Sequence, residues 1–175
     1  MNSEMKYPSS EKLLEIAIKE YEIESTRKRD LESRVGVMIG IIGVLLGLYT
    51  STLSLSKITF NSNIKENIGV VFIIFMCITP VILLLITLKK MVDLLSPKNY
   101  DRINIYGVNE ENATKNFDEI CFDIANQYKE VVINNQQVNY DKAESFNQAI
   151  KLLYFSIMSI IIMYFLNQFI EKIFN

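Results

Sequence analysis

The chain has 175 residues, 50% of them apolar, a formal net charge of −2 and no histidine. Missing histidine removes the usual general base, proton shuttle and commonest transition-metal ligand, and the near-neutral balance without a charged tail gives no basis for bulk attachment to nucleic acid. Two isolated cysteines give no zinc spacing and there is no Gly-rich phosphate loop or nucleophile elbow, so the expectation is a protein that is not an enzyme and holds no metal or cofactor.

In chain order, Pro8, Ser9 and Ser10 precede a run opening at Glu11, with hydroxyls for the first amides and a carboxylate at the positive end of the dipole. Leu13 to Arg34 contains neither Pro nor Gly, and Glu24 and Lys28 are spaced as an i,i+4 pair, so 1–34 reads as an amphipathic helix. It is expected to run on into the first uncharged block, making one rod from about residue 10 to residue 55.

That block, 35–56, is 22 residues long, long enough to cross a hydrocarbon core about 30 Å thick. Preceded by charged residues and followed by no small-residue cleavage site, it is expected to stay as an anchor. Gly36, Gly40, Gly43 and Gly47 recur at intervals of four, three and four, which at ~100° per residue sets them on one stripe. Bare backbone there invites close approach by another helix, so the stripe is expected to be a packing seam or a pore lining, within one chain or between subunits. Thr50, Ser51 and Ser54 are further small hydroxyl candidates for such a lining.

An external loop at 57–66 leads to a second uncharged block, 67–88, also 22 residues. Within it Pro80 frees a carbonyl one turn back and Thr79 offers a hydroxyl to satisfy it, marking a candidate hinge. Cys77 here and Cys121 later read as packing residues. The segment 89–151 returns to polar composition, with breakers around Ser96 to Val108 predicting a loop or one short strand. Asn116 and Glu119 resemble a capping box, after which Ile120, Ile124, Tyr128, Val131, Asn135 and Val138 repeat at helical spacing. Asp118, Glu119 and Asp123 read as a solvated helix face, and a second box at Asp141 and Glu144 leaves two readings, a break near 134–139, which is preferred, or one long helix running on into the third span. The third block is uncharged from Leu152 to Ile170, 19 residues, within a span drawn at 152–171; an external tail, 172–175, closes the chain.

Fifteen of the eighteen Lys and Arg residues fall in 1–34 and 89–151, leaving only Lys57, Lys65 and Lys172. Cations flanking spans are kept inside, so the amino terminus is expected in the cytoplasm and the carboxyl terminus outside. The fold class expected is therefore an all-α membrane protein: three transmembrane helices with cytoplasmic helical extensions, assembled as an oligomer. In such an oligomer Arg27, Lys28, Arg34, Lys89 and Lys90 are candidate ligand-binding residues that would recur around an axis, with Tyr21, Tyr100 or Tyr106 for stacking. The competing role for those cations is topology and contact with lipid phosphate.

The run Tyr21-Glu22-Ile23-Glu24-Ser25-Thr26-Arg27-Lys28-Arg29-Asp30-Leu31-Glu32-Ser33-Arg34, leading into the glycine-striped span, resembles the opening of small bacterial transmembrane effectors. These are encoded beside nucleotidyltransferase or nucleotide-cyclase genes in anti-phage systems of the Hailong and Pycsar types. Tyr128, Asn139, Asp141, Lys142 and Ala143 ahead of the last span are similar in layout to the same group. The resemblance implies an inner-membrane channel or pore that assembles from several copies, four preferred. It also implies that a nucleotide or short oligodeoxynucleotide, made by a partner enzyme, opens or closes the protein, with depolarisation and growth arrest as the outcome. The alternatives are a non-conducting scaffold that recruits a cytoplasmic protein, and a toxin that acts by insertion alone.

Overall fold

The computed structural model describes residues 5–52, 64–96 and 100–174. It is all-helical, with no strand among the described residues. Helix α1 runs Ser10–Thr52 and α2 Ile64–Leu95; a 3₁₀ turn at Ile105–Gly107 and a short α3 at Glu110–Ala113 lead to α4, Phe117–Phe174. Three helices, within Ser10–Thr52, Val70–Leu95 and Phe117–Leu166, are long and apolar enough to cross a membrane. Ser54 and most of the loop at 57–66 lie outside the described residues, as do 97–99.

Two compact units divide the chain: Met1–Ser33 with Pro97–Ala143, and Arg34–Ser96 with Glu144–Asn175. Both are built on a seven-residue repeat. Seven residues are almost two helical turns, so positions seven apart stay on one face. In the second unit Val35, Ile42 and Tyr49 of α1 are buried, as are Cys77, Leu84 and Met91 of α2 and Ala149, Ser156 and Met163 of α4. Val35 and Ile42 meet Leu84, Met91 and Leu94 on one side and Ala149 and Leu153 on the other, giving a three-helix core. The Tyr49 hydroxyl donates to the Cys77 carbonyl at 3.0 Å across it.

Away from the exposed charges Arg34, Lys89, Lys90, Asp93, Glu144 and Lys151, the outside of this unit is apolar. Val37, Val44 and Leu48 on α1, Phe72 and Phe75 on α2, and Phe155 and Phe165 on α4 are all exposed. A helix apolar all round needs apolar surroundings on every side, and three such helices together suit lipid and not water. Pro80 is buried within α2, which continues to Leu95. The hydroxyl beside it, Thr79, donates to the Phe75 carbonyl at 2.8 Å, one residue before the Met76 carbonyl that the proline leaves without its amide.

Several expectations change. The break predicted near 134–139 is absent: α4 is a single helix of 58 residues. Asparagine and glutamine are indifferent helix formers, but no Gly or Pro interrupts Phe117–Phe174, and Asn135 and Asn139 spend their amides on tertiary partners described below. The expected tail also belongs to α4, which reaches Phe174, and the loop-or-strand segment is a loop with its 3₁₀ turn. The buried line of α4 shares Asn135 with the one expected but otherwise lies beside it: Asp118, Cys121, Ala125, Val132, Asn135, Asn139 and Lys142 are buried, while Ile120, Ile124, Tyr128, Val131 and Val138 are half-buried. Asp118 is thus no solvated carboxylate; its Oδ2 accepts from the Tyr7 amide at 2.9 Å, and Tyr7 stacks on Phe122 with centroids 4.3 Å apart. Asp123 is exposed as expected.

Truncating the three-helix core should cost far more than trimming its surface. Ile42→Ala should lower unfolding stability by about 2–5 kcal/mol, whereas Val44→Ala should stay within about 0.5 kcal/mol, both read by thermal unfolding in detergent micelles.

Candidate functional site

The first unit carries the same repeat with charged and amide residues in it. On α1 Ser10 and Glu24 are buried with Ala17 and Leu31 half-buried between and after them, a seven-residue ladder that takes in a carboxylate. On α4 the two ladders run Asp118, Ala125, Val132, Asn139 and Cys121, Tyr128, Asn135, Lys142. A charge inside a helix seam is costly unless paired, so each must find a partner.

They do. Glu24, 2% exposed, accepts from the Asn139 side-chain amide at 2.8 Å through one oxygen and from the Arg27 guanidinium at 2.8 Å through the other. The same Asn139 amide donates to the Glu24 carbonyl at 3.0 Å, clamping helix backbone as well as side chain. Nearly one turn on along α4, Lys142, 2% exposed, donates to Glu32 at 3.2 Å. Asn135 fixes the loop: its Oδ1 accepts from the Asp101 amide at 2.9 Å and its Nδ2 donates to the Asp101 carbonyl at 3.1 Å. Asn134 adds a bond to the Asp101 carboxylate at 2.6 Å.

The expected Glu24–Lys28 pair is replaced. Glu24 takes Arg27, three residues on, and the Lys28 ammonium lies 4.3 Å from the centroid of the Tyr100 ring, a cation–π contact. The Tyr100 hydroxyl and the Asn139 Oδ1 are both buried without a hydrogen-bond partner. Burial raises the Tyr100 pKa above its ordinary value of 10.0; the Asn139 amide opposes the rise, and Tyr21, Glu24 and Glu32 add to it.

Of the five candidate cations, Arg27 and Lys28 belong to this unit and Arg34, Lys89 and Lys90 to the other. The last three are exposed, and among the described residues Lys90 reaches only Gln148, at 3.4 Å. Within one chain, no hydrogen bond or ion pair among the described residues gives any two of the five a common partner. Tyr21 packs edge-on against Tyr128 at 5.5 Å, whereas Tyr106 is 85% exposed. The four glycines of α1 are exposed, and a Cβ built on any of them meets nothing within 4 Å. Among the described residues the stripe is therefore not a seam between helices of one chain. Thr50 and Ser51 turn their hydroxyls back to the Leu46 and Leu48 carbonyls, at 2.7 and 2.8 Å. Both cysteines are buried and unpaired.

Asn139 and Lys142 entered the sequence reading only through a resemblance, and Glu32 not as a site residue at all. The signal that finds them is the seven-residue register, followed through the charges and not only through the apolar residues.

No family model matches the chain, and no curated protein or solved structure matches it. Its fold defines an all-helical protein with three helices suited to spanning a membrane.

Two outcomes probe the seam. Asn139→Leu, which removes a donor from a closed-off carboxylate, should destabilise the protein by about 1.5–3 kcal/mol, and adding Glu24→Leu should recover most of that loss. Tyr100→Phe removes a hydroxyl with no partner, so at neutral pH it should be neutral or stabilising by up to about 1 kcal/mol. Because the folded state resists ionising Tyr100, the wild type keeps its stability below pH 10.0 and loses it as pH rises past that value. Tyr100→Phe should flatten this alkaline limb in a melting-temperature series.

Proposed function

We propose that the chain is a homo-oligomeric channel or pore-forming effector of anti-phage defence, embedded in the bacterial inner membrane with its amino terminus in the cytoplasm. A nucleotide or short oligodeoxynucleotide made by a partner nucleotidyltransferase or cyclase biases it between closed and open states on the cytoplasmic side. Opening dissipates the membrane potential and arrests growth. Four copies are preferred, because fewer chains of three spans would hardly enclose an aqueous path.

The observation that carries the reading is the open glycine stripe. Gly36, Gly40, Gly43 and Gly47 lie on a helix whose own packing partners are on a different face, and no described residue of the same chain covers them. In lipid, where apolar transfer gives helices no reason to associate, a small-residue face is what lets backbones pack closely. Copies of the chain meeting along this stripe give an assembly without disturbing the core of each.

The seam of Glu24, Asn139, Lys142 and Glu32 supports the switching part of the reading. Its contacts are few, discrete and strong, so a second arrangement of α1 against α4 would exchange them as a set and not one by one. A ligand moves such a balance only by binding one arrangement better than the other. Arg27 and Lys28, which lie in the same unit as this seam and repeat in each copy, provide cations for an anionic ligand.

Ion flux into liposomes holding the purified protein, with cyclic nucleotides and short oligonucleotides added on the accessible face, tests this. Flux that a nucleotide switches on or off supports the channel. Gly40→Leu and Gly43→Leu point into open space and should leave the thermal unfolding of one chain unchanged. If each interface loses only about 1.4 kcal/mol, assembly weakens about tenfold, with flux and chemical cross-linking falling together. No flux under any ligand, with orientation checked by protease protection, would sink the channel and leave the scaffold.

A further inference from the structure

A cleft of about 550 Å³ opens in the first unit between the loop from Ile103 to Asn112 and one flank of α4. That size falls within the roughly 300–1,000 Å³ typical of small-molecule sites. Ile103, Ile120, Ile124 and Tyr128 supply apolar wall. Four carboxamides, Asn104, Asn112, Asn126 and Gln127, line it as well. The two on the loop are occupied in building it: Asn104 Oδ1 accepts from the Tyr106 amide at 2.9 Å, and Asn112 Nδ2 donates to the Gly107 carbonyl at 2.7 Å. The two on α4 make no hydrogen bond to any described residue, so both their donors and acceptors are free.

Charge in the cleft is balanced. Lys115 donates to Asp123 at 3.1 Å, and among the described residues no other ionisable side chain but Tyr128 lines it. A site built for a bare anion would leave its one cation unpaired, whereas a phosphate here must share Lys115 with Asp123, and a site for a purely apolar ligand would not present carboxamides along its wall. The lining instead matches a flat, neutral heterocycle whose edge carries a donor beside an acceptor, since a carboxamide offers the same pair in the same plane.

We propose that this cleft binds a nucleobase, its face against the isoleucines and Tyr128 and its edge read by Asn126 and Gln127, with an attached phosphate directed to Lys115. The inference rests on the nucleotide-responsive reading above and moves recognition of the base from the exposed cations to this cleft. A mononucleotide and the end of an oligodeoxynucleotide share this chemistry, base plus phosphate, and either could supply it.

Calorimetry on the full chain in lipid nanodiscs tests the assignment, with adenosine, adenosine monophosphate, cyclic adenosine monophosphate, a short oligodeoxynucleotide and the pyrimidine counterparts as probes. Base-selective binding is expected, and which of the mononucleotide and oligonucleotide arms binds more tightly identifies the source. Asn126→Ala with Gln127→Ala should weaken binding about 5- to 100-fold, the range for loss of a paired carboxamide contact. Gly107→Ala provides an independent variant: its new Cβ would sit 3.9 Å from Gln127 Nε2, an ordinary contact, so it narrows the cleft and weakens binding with unfolding unchanged. Asp123→Asn frees Lys115 and should tighten the phosphate-bearing probes while leaving adenosine as it was. Failure of the wild type to bind any probe, or variants that bind as the wild type does, would overturn the assignment. Base-selective binding lost in the cleft variants, but with no effect on flux, upholds the cleft and removes the gated channel. Nucleotide-controlled flux that ignores the cleft variants does the reverse.

Discussion

The seven-residue register shared by α1 and α4 governs where each charge of these helices can lie. Once Ser10, Ala17, Glu24 and Leu31 fall on one line of α1, Glu24 is committed to the seam whether or not a carboxylate is welcome there. Closed off from water, it requires donors, and the chain supplies two: a guanidinium from its own helix and an amide from Asn139, which occupies a corresponding ladder position on α4. A slip of either helix by one turn would strand Glu24 without Asn139 and Lys142 without Glu32. Buried polar groups of this kind contribute little net stability but disfavour every other alignment strongly. The ladder of the second unit, made of Val, Ile, Leu and Met with the small residues Cys77, Ala149 and Ser156 and a single cross-helix hydrogen bond from Tyr49, discriminates among alignments less sharply.

The division of labour between the two units follows. In the second, the seam is apolar or small, and so is the outer surface away from Arg34, Lys89, Lys90, Asp93, Glu144 and Lys151, as a lipid environment requires; packing rather than apolar transfer holds the helices together there. In the first, the outer face of α1 carries Lys12, Lys19, Glu20, Glu22, Arg29 and Asp30, all exposed, and the seam can hold charge because partners are within reach. The two asparagine clamps extend this order to a loop with almost no core of its own. Asn135 fixes Asp101, and Asn104, Asn109 and Asn112 bond the backbone of the turn at Ile105–Gly107 in place of secondary structure.

What the amino-acid sequence disclosed, and what it hid, divide along the same line. The spans were legible because exclusion of charge over twenty residues is a one-dimensional property that needs no knowledge of neighbours. The continuity of α4 was hidden because Asn134 to Asn139 carries the composition of a turn; only the bonds made by Asn135 and Asn139 outside their own helix show why the backbone has no need to break. Glu24 looked like half of a surface pair with Lys28 because i,i+4 spacing is a local signal, whereas its burial is set by a register extending over the whole helix. The cleft beside Gln127 was invisible for a different reason: its walls come from residues about twenty apart in the chain, brought together by a loop whose shape depends on three asparagines.

Register also bears on how copies would meet. With ~100° per residue, the centre of the glycine stripe lies roughly 130° around α1 from the residues it packs within the chain. The two faces are nearly opposite, so a neighbour seated on Gly40 and Gly43 would leave the contact of Ile42 with Leu84 and Ala149 intact. One helix can then serve two seams at once: an apolar one that completes the protomer and a bare-backbone one for a second copy. Thr50 and Ser51 stand at the end of this helix with their protons committed to backbone carbonyls one turn back, which leaves oxygen lone pairs as the groups they present. In an assembly built along the glycine face, those oxygens, and not any buried charge, would be the polar atoms available to an ion at that depth.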